Sequence, residues 1–346
     1  MTFDIGAILF QDGLANGSVY ILMAVALVLV FTVSRIIFVP QGDLVAFSAL
    51  TLAAFEADIV PGTVWILACL AILAVLIDVA HAATTRDWSG LPRALLENLV
   101  IPLVLLLVAL FLVPNDSALV WKMAVTVALI TCLAPLLYRI VFQPIAAASP
   151  LILLIAAIAV HFGLNSLGLH VFGAEGVRTS GFSGPPFVIG NVVFTQQSVG
   201  VIFVSLLLVF ALYLFFARTL AGKALLAAAH NRRGAEIVGI SPVRAGRTAL
   251  ALAGFIGAVA GLLIGPMTTL SYDSGFILGL KGFVGAIVGG LSIYPVAAAG
   301  AVLVGLIESF ASFWASAYRD VIVFTLIIPV LLWRSLRTPH VDEEQE

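Results

Sequence analysis

An all-α, polytopic bundle of transmembrane helices is predicted for this chain by three observations. Of its 346 residues, 62% are hydrophobic and only 10% are charged, and its mean hydropathy is +1.19, which is not the balance of a soluble domain. The apolar residues are gathered into runs of roughly 15 to 22, close to the about 20 that a helix needs to cross a bilayer. The alternation of polarity over segments of about 10 residues that an outer-membrane barrel requires is absent. In lipid a helix satisfies its own backbone hydrogen bonds, so each run reads as helix.

Between charged or Pro/Gly-rich breaks the runs fall near 14–33, 41–56, 62–80, 96–113, 119–138, 150–170, 198–217, 248–265, 276–291, 295–316 and 320–334. The second and ninth are short and punctuated by glycine, so 9 to 11 membrane segments are expected, these two being re-entrant or broken helices that line a cavity. The first 34 residues carry no Lys or Arg. The charged start of a secretory signal is therefore missing, and the first run reads as a retained span.

Orientation follows from the basic residues, which are retained on the cytoplasmic side. With the C-terminus inside, Arg35, Arg86, Arg93, Arg139, Arg218, Lys223, Arg232, Arg233, Arg244, Arg247, Arg334 and Arg337 are cytoplasmic. Only Lys122, Arg178 and Arg319 fall outside, and Lys281 lies within the ninth run. The expected protein is thus one transmembrane domain over 1–338 in a bacterial inner membrane, N-terminus outside and C-terminus inside. It carries an external Gly/Pro-rich loop at 171–197, a cytoplasmic loop at 218–247 and a solvated acidic tail at 339–346 with Asp342, Glu343, Glu344 and Glu346. Cys69 and Cys132 sit inside apolar runs and read as buried small hydrophobes.

Ionisable groups inside lipid are costly and face partners or water. Asp78 and His161 read as lying near span ends, whereas Glu308 lies deeper and is the better cavity candidate, with Lys281 placed to pair with it or with Asp273. Asn16, Ser18, Tyr20, Gln41, Asn165 and Ser166 are candidates to line a path or to bond neighbouring helices. Gly257, Gly261 and Gly265 share one helical face, as do Gly285 and Gly289, where another backbone can approach closely. An enzyme is not indicated. The chain has no H-E-x-x-H, no Cys/His metal cluster and no G-x-x-x-x-G-K-[ST] run, since Gly222-Lys223 is followed by Ala224 and lacks the upstream glycine. Neither a metal site nor a nucleic-acid partner is expected.

From Lys223 to Val238 helix formers run without proline, between Gly222 and Gly239–Pro242, which predicts one surface helix of about four turns. Its small face suits close approach by another protein, and its charges equally suit an amphipathic helix on the anionic leaflet.

The run GKALLAAAHNRRGAEIVGI, Gly222 to Ile240, resembles the coupling loop of ABC-importer permeases, and its spacing is similar to that of the branched-chain amino acid permease family. Three further stretches agree, in the family's order: LANGSVYILMAVALVLVF (Leu14 to Phe31), YRIVFQPIAAASPLILLIAAIAVHFGLNSLGLHVFG (Tyr138 to Gly173) and GFILGLKGFVGAIVGGLSIYPVAAAGAVLVGLIESF (Gly275 to Phe310). The resemblance implies a permease subunit that pairs with a second, homologous permease, binds two cytoplasmic ATP-binding subunits and receives substrate from a periplasmic binding protein. It implies no directly bound cofactor, since the partners would use the ATP. Gly222, Ala224, Ala228, Asn231, Arg232, Ala235, Gly239 and Ile240 would contact the ATPase, and Asn16, Ser18, Gln41, Asn165 and Glu308 are the candidate path residues.

Departures from the family pattern bear on substrate. Phe38, Val39, Pro40, Gln41 and Gly42 stand where the family has Asn-Phe-Ala-His-Gly, so Gln replaces His. Leu226 stands where Arg is common, and 66–118 holds more apolar sequence than the family's short form, as an added hairpin would. Urea, short amides or aromatic acids are therefore alternative cargoes to branched-chain amino acids. A stand-alone secondary transporter or channel is the alternative class.

Overall fold

The structure is a computed structural model that describes residues 3–111, 118–182, 186–189, 192–291 and 293–337. In chain order the elements are α1 (Phe3–Ser34), α2 (Gln41–Glu56), α3 (Thr63–Thr85), α4 (Leu91–Phe111), α5 (Leu119–Phe142) and α6 (Pro150–Phe172). A small antiparallel hairpin of β1 (Phe187–Ile189) and β2 (Val192–Phe194) follows, pairing Phe187 with Phe194. Then come α7 (Gln196–Arg218), α8 (Leu220–His230), α9 (Arg232–Ile237), α10 (Pro242–Ile264), α11 (Ser274–Val288), α12 (Tyr294–Trp314), and the pair α13 (Arg319–Thr325) and α14 (Ile327–Arg337). Among the described residues each apolar run of the sequence forms helix, and nine helices are long and apolar enough to cross a membrane. The expected bundle is present. The two runs read as short are the 16-residue α2 and the 15-residue α11; at 1.5 Å per residue they reach about 24 and 22 Å, less than the roughly 30 Å of a hydrocarbon core. The acidic tail lies outside the described residues.

Local chemistry places the helix starts. The side chains of Thr195, Thr219, Asn231 and Ser241 accept hydrogen bonds from backbone N–H groups of the first turns of α7, α8, α9 and α10. Asn231 corrects one expectation. The stretch from Lys223 to Val238 is two helices, because Asn231 takes an extended conformation and its Oδ1 accepts from Gly234 N at 2.9 Å, capping α9. A short polar side chain that bonds its own downstream backbone competes with helix continuation, although the flanking residues are good helix formers. Gly222 sits within the first turn of α8 and packs on the backbone of Phe215 and Phe216.

The core is built around α1. Of its most apolar 18 residues 78% are buried, against 17% for α7 and 6% for the final span. Gly13 and Gly17 of α1 meet Leu306 and Val302 of α12, so these two helices run antiparallel at close range. The glycine face of α10 is occupied by α2: Gln41 lies at Gly257, Val45 at Gly261 and Ala49 at Gly265, numbers that rise together and make the pair parallel. Gly285 and Gly289 of α11 meet Ala301 and Ala297 of α12, an antiparallel pair.

Loops read as external gather at one end of the bundle, where Glu56 accepts from Ser180, Lys122 Nζ lies 2.9 Å from Asp58, Arg178 Nε donates to Pro266 O at 2.7 Å, and Val177 bridges Leu270. Those read as cytoplasmic gather at the other. There Arg232 donates to Ala146 O at 3.1 Å, and Arg139 and Arg247 meet the α3–α4 hairpin. Cys132 is buried as expected; Cys69 is exposed on the outer face of α3, since an apolar run in lipid has no obligation to point inward.

Candidate functional site

The two short helices meet at their N-termini. Gly42, in the first turn of α2, packs against Gly275 and Gly279 of α11, and Gly275 lies against the backbone of Asp43. Asp43 lies at Gly275 while Val39 lies at Gly279, numbers that run in opposite senses, so the two helices diverge from this junction. Their N-terminal ends, each carrying partial positive charge, converge there. Only glycine permits this approach: a Cβ on Gly275 would stand 2.7 Å from Asp43 Cα.

Asp43 is the acidic residue of the first turn of α2 and is 1% exposed. Its carboxylate accepts from His161, whose Nδ1 lies 2.8 Å from Oδ2 and 3.0 Å from Oδ1. The sequence suggests a span end for His161. It is instead the middle residue of the 23-residue α6, which puts the junction at mid-height of the bundle, and its ring stacks on Phe276 with centroids 4.8 Å apart. Gln41 is fully buried beside this pair; its Nε2 donates to Ala253 O at 3.0 Å, while Oε1 has no hydrogen-bond partner among the described residues. Next to His161 a cavity of about 260 Å³ is walled by Leu27, Val39, Ile158, Phe162, Phe276 and Phe283. The junction therefore sets a buried Asp43–His161 pair and two helix N-termini beside an apolar recess that His161 lines, while the Gln41 amide faces α10. Asp43 is the site residue that sequence reasoning misses; its signal is Pro40-Gln41-Gly42-Asp43 opening a short glycine-marked helix.

A second network, buried at Tyr20, Lys281 and Glu308 and open at Arg319 and Asp320, ties α1, α11, α12 and α13. Lys281 Nζ lies 2.6 Å from Glu308 Oε1 and 3.1 Å from Asp320, Tyr20 donates to Glu308 Oε2 at 2.6 Å, and Arg319 stands 3.6 Å from Glu308 and 3.4 Å from Asp320. Two cations and two anions balance. Lys281 thus pairs with Glu308 and Asp320, whereas Asp273 accepts from Ser271 in the preceding turn. The Glu308 carboxylate is consumed by these partners, and Ser18 donates back to Leu14 O within its own helix. Asn16 and Asn165 are half-buried on α1 and α6. Of the candidate path residues, the structure brings Gln41 to the junction and engages Ser18 and Glu308 elsewhere, while Asn165 stands one turn beyond His161 on α6.

The α3–α4 hairpin is bound by a third cluster. Asp78 is buried; Arg139 lies 2.6 Å from it, and Asn98 donates to it at 2.6 Å. Asn98 in turn accepts from Arg247, which pairs with Glu97 at 2.7 Å. Pro135 and the π-helical turn Tyr138–Phe142 interrupt α5 and aim Arg139 at α3. In the α3–α4 turn, Ser89 donates to Asp87 through both N–H and hydroxyl and holds its carboxyl below the usual carboxylate range.

The segment expected to couple is anchored on one face and open on the other. Leu225, Ala228, Ala235 and Ala245 form a small core against Val33, Phe215, Phe216, Ile240 and Leu252. Ile237 and Val238 are 85% and 73% exposed. Ala228 and Ala235 of the expected contact set are therefore turned inward, while Asn231 caps α9 and Arg232 reaches Ala146.

The sequence profile of a family described as the permease component of a branched-chain amino acid transport system matches residues 9–331. The high-affinity branched-chain amino acid transport system permease protein BraD of Pseudomonas aeruginosa is 30% identical over 224 residues, 59% of this chain and 70% of that protein. The corresponding protein LivH of Escherichia coli is 29% identical over 202 residues, 56% of this chain and 65% of its own length. No solved structure matches the chain.

Proposed function

Because the chain belongs to the branched-chain amino acid transport system permease family, we propose that it is the membrane-spanning subunit of an ATP-driven importer of branched-chain or related amino acids. It acts with a second, homologous permease, two ATP-binding subunits and a periplasmic binding protein. Its domain is single, its C-terminus faces the cytoplasm and its N-terminus the periplasm, consistent with the arginines gathered at one end. The chain is a transporter permease and not an enzyme; its partners hydrolyse the ATP.

The observation that carries the coupling role is the α8–α9 element, which is seated on the bundle through alanines yet presents Ile237 and Val238 outward from a segment rich in arginine. Exposed apolar side chains among charges mark a protein contact. Replacing Ile237 and Val238 with Asp is expected to lower ATP-driven leucine uptake by about tenfold or more, as loss of a contact anchor does, with the protein still inserted at normal levels. Undiminished uptake would remove this element from the coupling surface.

For the path, the α2–α11 junction is the favoured station. A zwitterionic amino acid places its ammonium against Asp43, its carboxylate against the two helix N-termini, and its branched side chain in the recess of Ile158, Phe162 and Phe283. Asp43→Asn keeps an acceptor for His161 and removes the charge. Uptake is expected to drop about tenfold, the size of one charge-assisted hydrogen bond, at unchanged protein level. Wild-type uptake by this variant would take the junction off the path.

A further inference from the structure

Two cavities of different character share one row of arginines. The polar cavity, about 360 Å³, lies between α3, α4, the π turn of α5 and the start of α10, and includes Asp78, Asn98, Arg139 and Gln143. An apolar groove of about 660 Å³ leaves the same place and runs between α4, α5 and α10 along Ile101, Leu105, Val127, Ala128, Ala251 and Phe255. Arg93, Glu97, Arg244 and Arg247 line both.

The charges along that shared edge do not balance. Arg139 is committed to Asp78. Arg93 and Arg247 both draw on Glu97, at 2.9 and 2.7 Å. Among the described residues the guanidinium of Arg244 makes no ion pair, so three arginines stand over one carboxylate along the edge, and with Asp87 at the polar cavity's wall the cations there still exceed the anions by one. A residual positive charge therefore caps one end of an outward-open apolar groove. Trp88, 53% exposed in the turn between α3 and α4, adds an aromatic ring at the level where membrane proteins place their interfacial anchors.

We propose that this is a binding site for a single anionic phospholipid, its phosphate held by Arg93 and Arg244 and one acyl chain lying in the groove. Guanidinium groups match phosphate oxygens in charge and in fork geometry, and basic pockets between helices at the membrane surface are suited to acidic headgroups. The groove decides between lipid and free phosphate, because only a ligand with a hydrocarbon chain fills both the charged edge and the apolar wall. A bound lipid would bridge α4 of the added hairpin to α10, giving that hairpin a role in seating the membrane against the helix that follows α9. The assignment rests on the cavities and not on the transport reading.

Native mass spectrometry of the full-length protein, purified in a neutral maltoside detergent, tests it with phosphatidylglycerol, phosphatidylcholine of the same chains, and sodium phosphate. One phosphatidylglycerol is expected to bind in preference to phosphatidylcholine and to resist displacement by excess inorganic phosphate. Arg93→Gln and Arg244→Gln, both at exposed positions, should each weaken it about fivefold, the worth of one basic residue at a membrane surface. Ala128→Leu, which fills the groove, should weaken phosphatidylglycerol without altering any phosphate adduct. Equal binding of phosphatidylcholine, full displacement by phosphate, or indifference to the arginine substitutions would each overturn the proposal.

Discussion

Replacing Glu308 with alanine is expected to lower the unfolding free energy of the purified protein by about 3–5 kcal/mol, the cost of leaving a buried charge without its partner. Lys281 is 4% exposed and would retain only Asp320, which is itself shared with Arg319. Tyr20, at 3% exposure, would lose the acceptor of its hydroxyl. Four helices converge on this carboxylate, so its removal loosens α11 and α13 together. The double variant Lys281→Met, Glu308→Leu is expected to recover most of the loss. It deletes both buried charges and leaves Arg319 and Asp320 to pair with each other, and apolar replacement of a buried ion pair is often neutral. Reversible unfolding in mixed micelles would measure both. A cost below about 1 kcal/mol for Glu308→Ala would mean that water reaches the network, as for exposed pairs.

The pairing of Lys281 with Glu308 is legible in the amino-acid sequence, since both are ionisable groups set in apolar runs and such groups seek each other. Tyr20 is marked there only as a residue that lines a path or bonds a neighbouring helix, and Asp320 not at all, because each reaches the cluster from a different helix. The spans themselves are legible for a physical reason: lipid demands long apolar helices, and the demand is written residue by residue. The shortness of α2 and α11 is readable in the same way. Their mutual placement is not. Gly42 and Gly275, or Asp43 and His161, are brought together by packing over large sequence separations, and a glycine in a helix records that something comes close without recording what. Gly257, Gly261 and Gly265 illustrate the limit, for their common face is evident while its occupant, α2, is not. The break at Asn231 lies at the opposite scale, where one side chain bonding to Gly234 N outweighs the helix preference of its neighbours.

Because the junction depends on those close approaches, Gly42→Val is expected to abolish both folded yield and uptake. A Cβ at Gly42 would fall inside the contact distance of the Gly275 carbonyl oxygen and 2.7 Å from Gly279 N, both backbone atoms that cannot rotate away. Relief requires α11 to move off α2, which withdraws Phe276 from His161 and Gly275 from Asp43. Overpacking of this kind costs about 1–3 kcal/mol where side chains can yield, and more where they cannot. Gly42→Ala should already show much of the effect, since the clash begins at the first carbon. Gly163, on the exposed side of α6 with nothing within 4 Å of a Cβ, supplies the control: Gly163→Ala should fold and transport at least as well as the wild type, because alanine is the better helix former by about 1 kcal/mol. Gel filtration of the detergent-solubilised protein and leucine uptake in cells report the two quantities separately. If Gly42→Val ran as a monodisperse species and transported normally, α2 and α11 would not be in contact during transport. The junction would then be a feature of one resting conformation and not the station through which substrate passes.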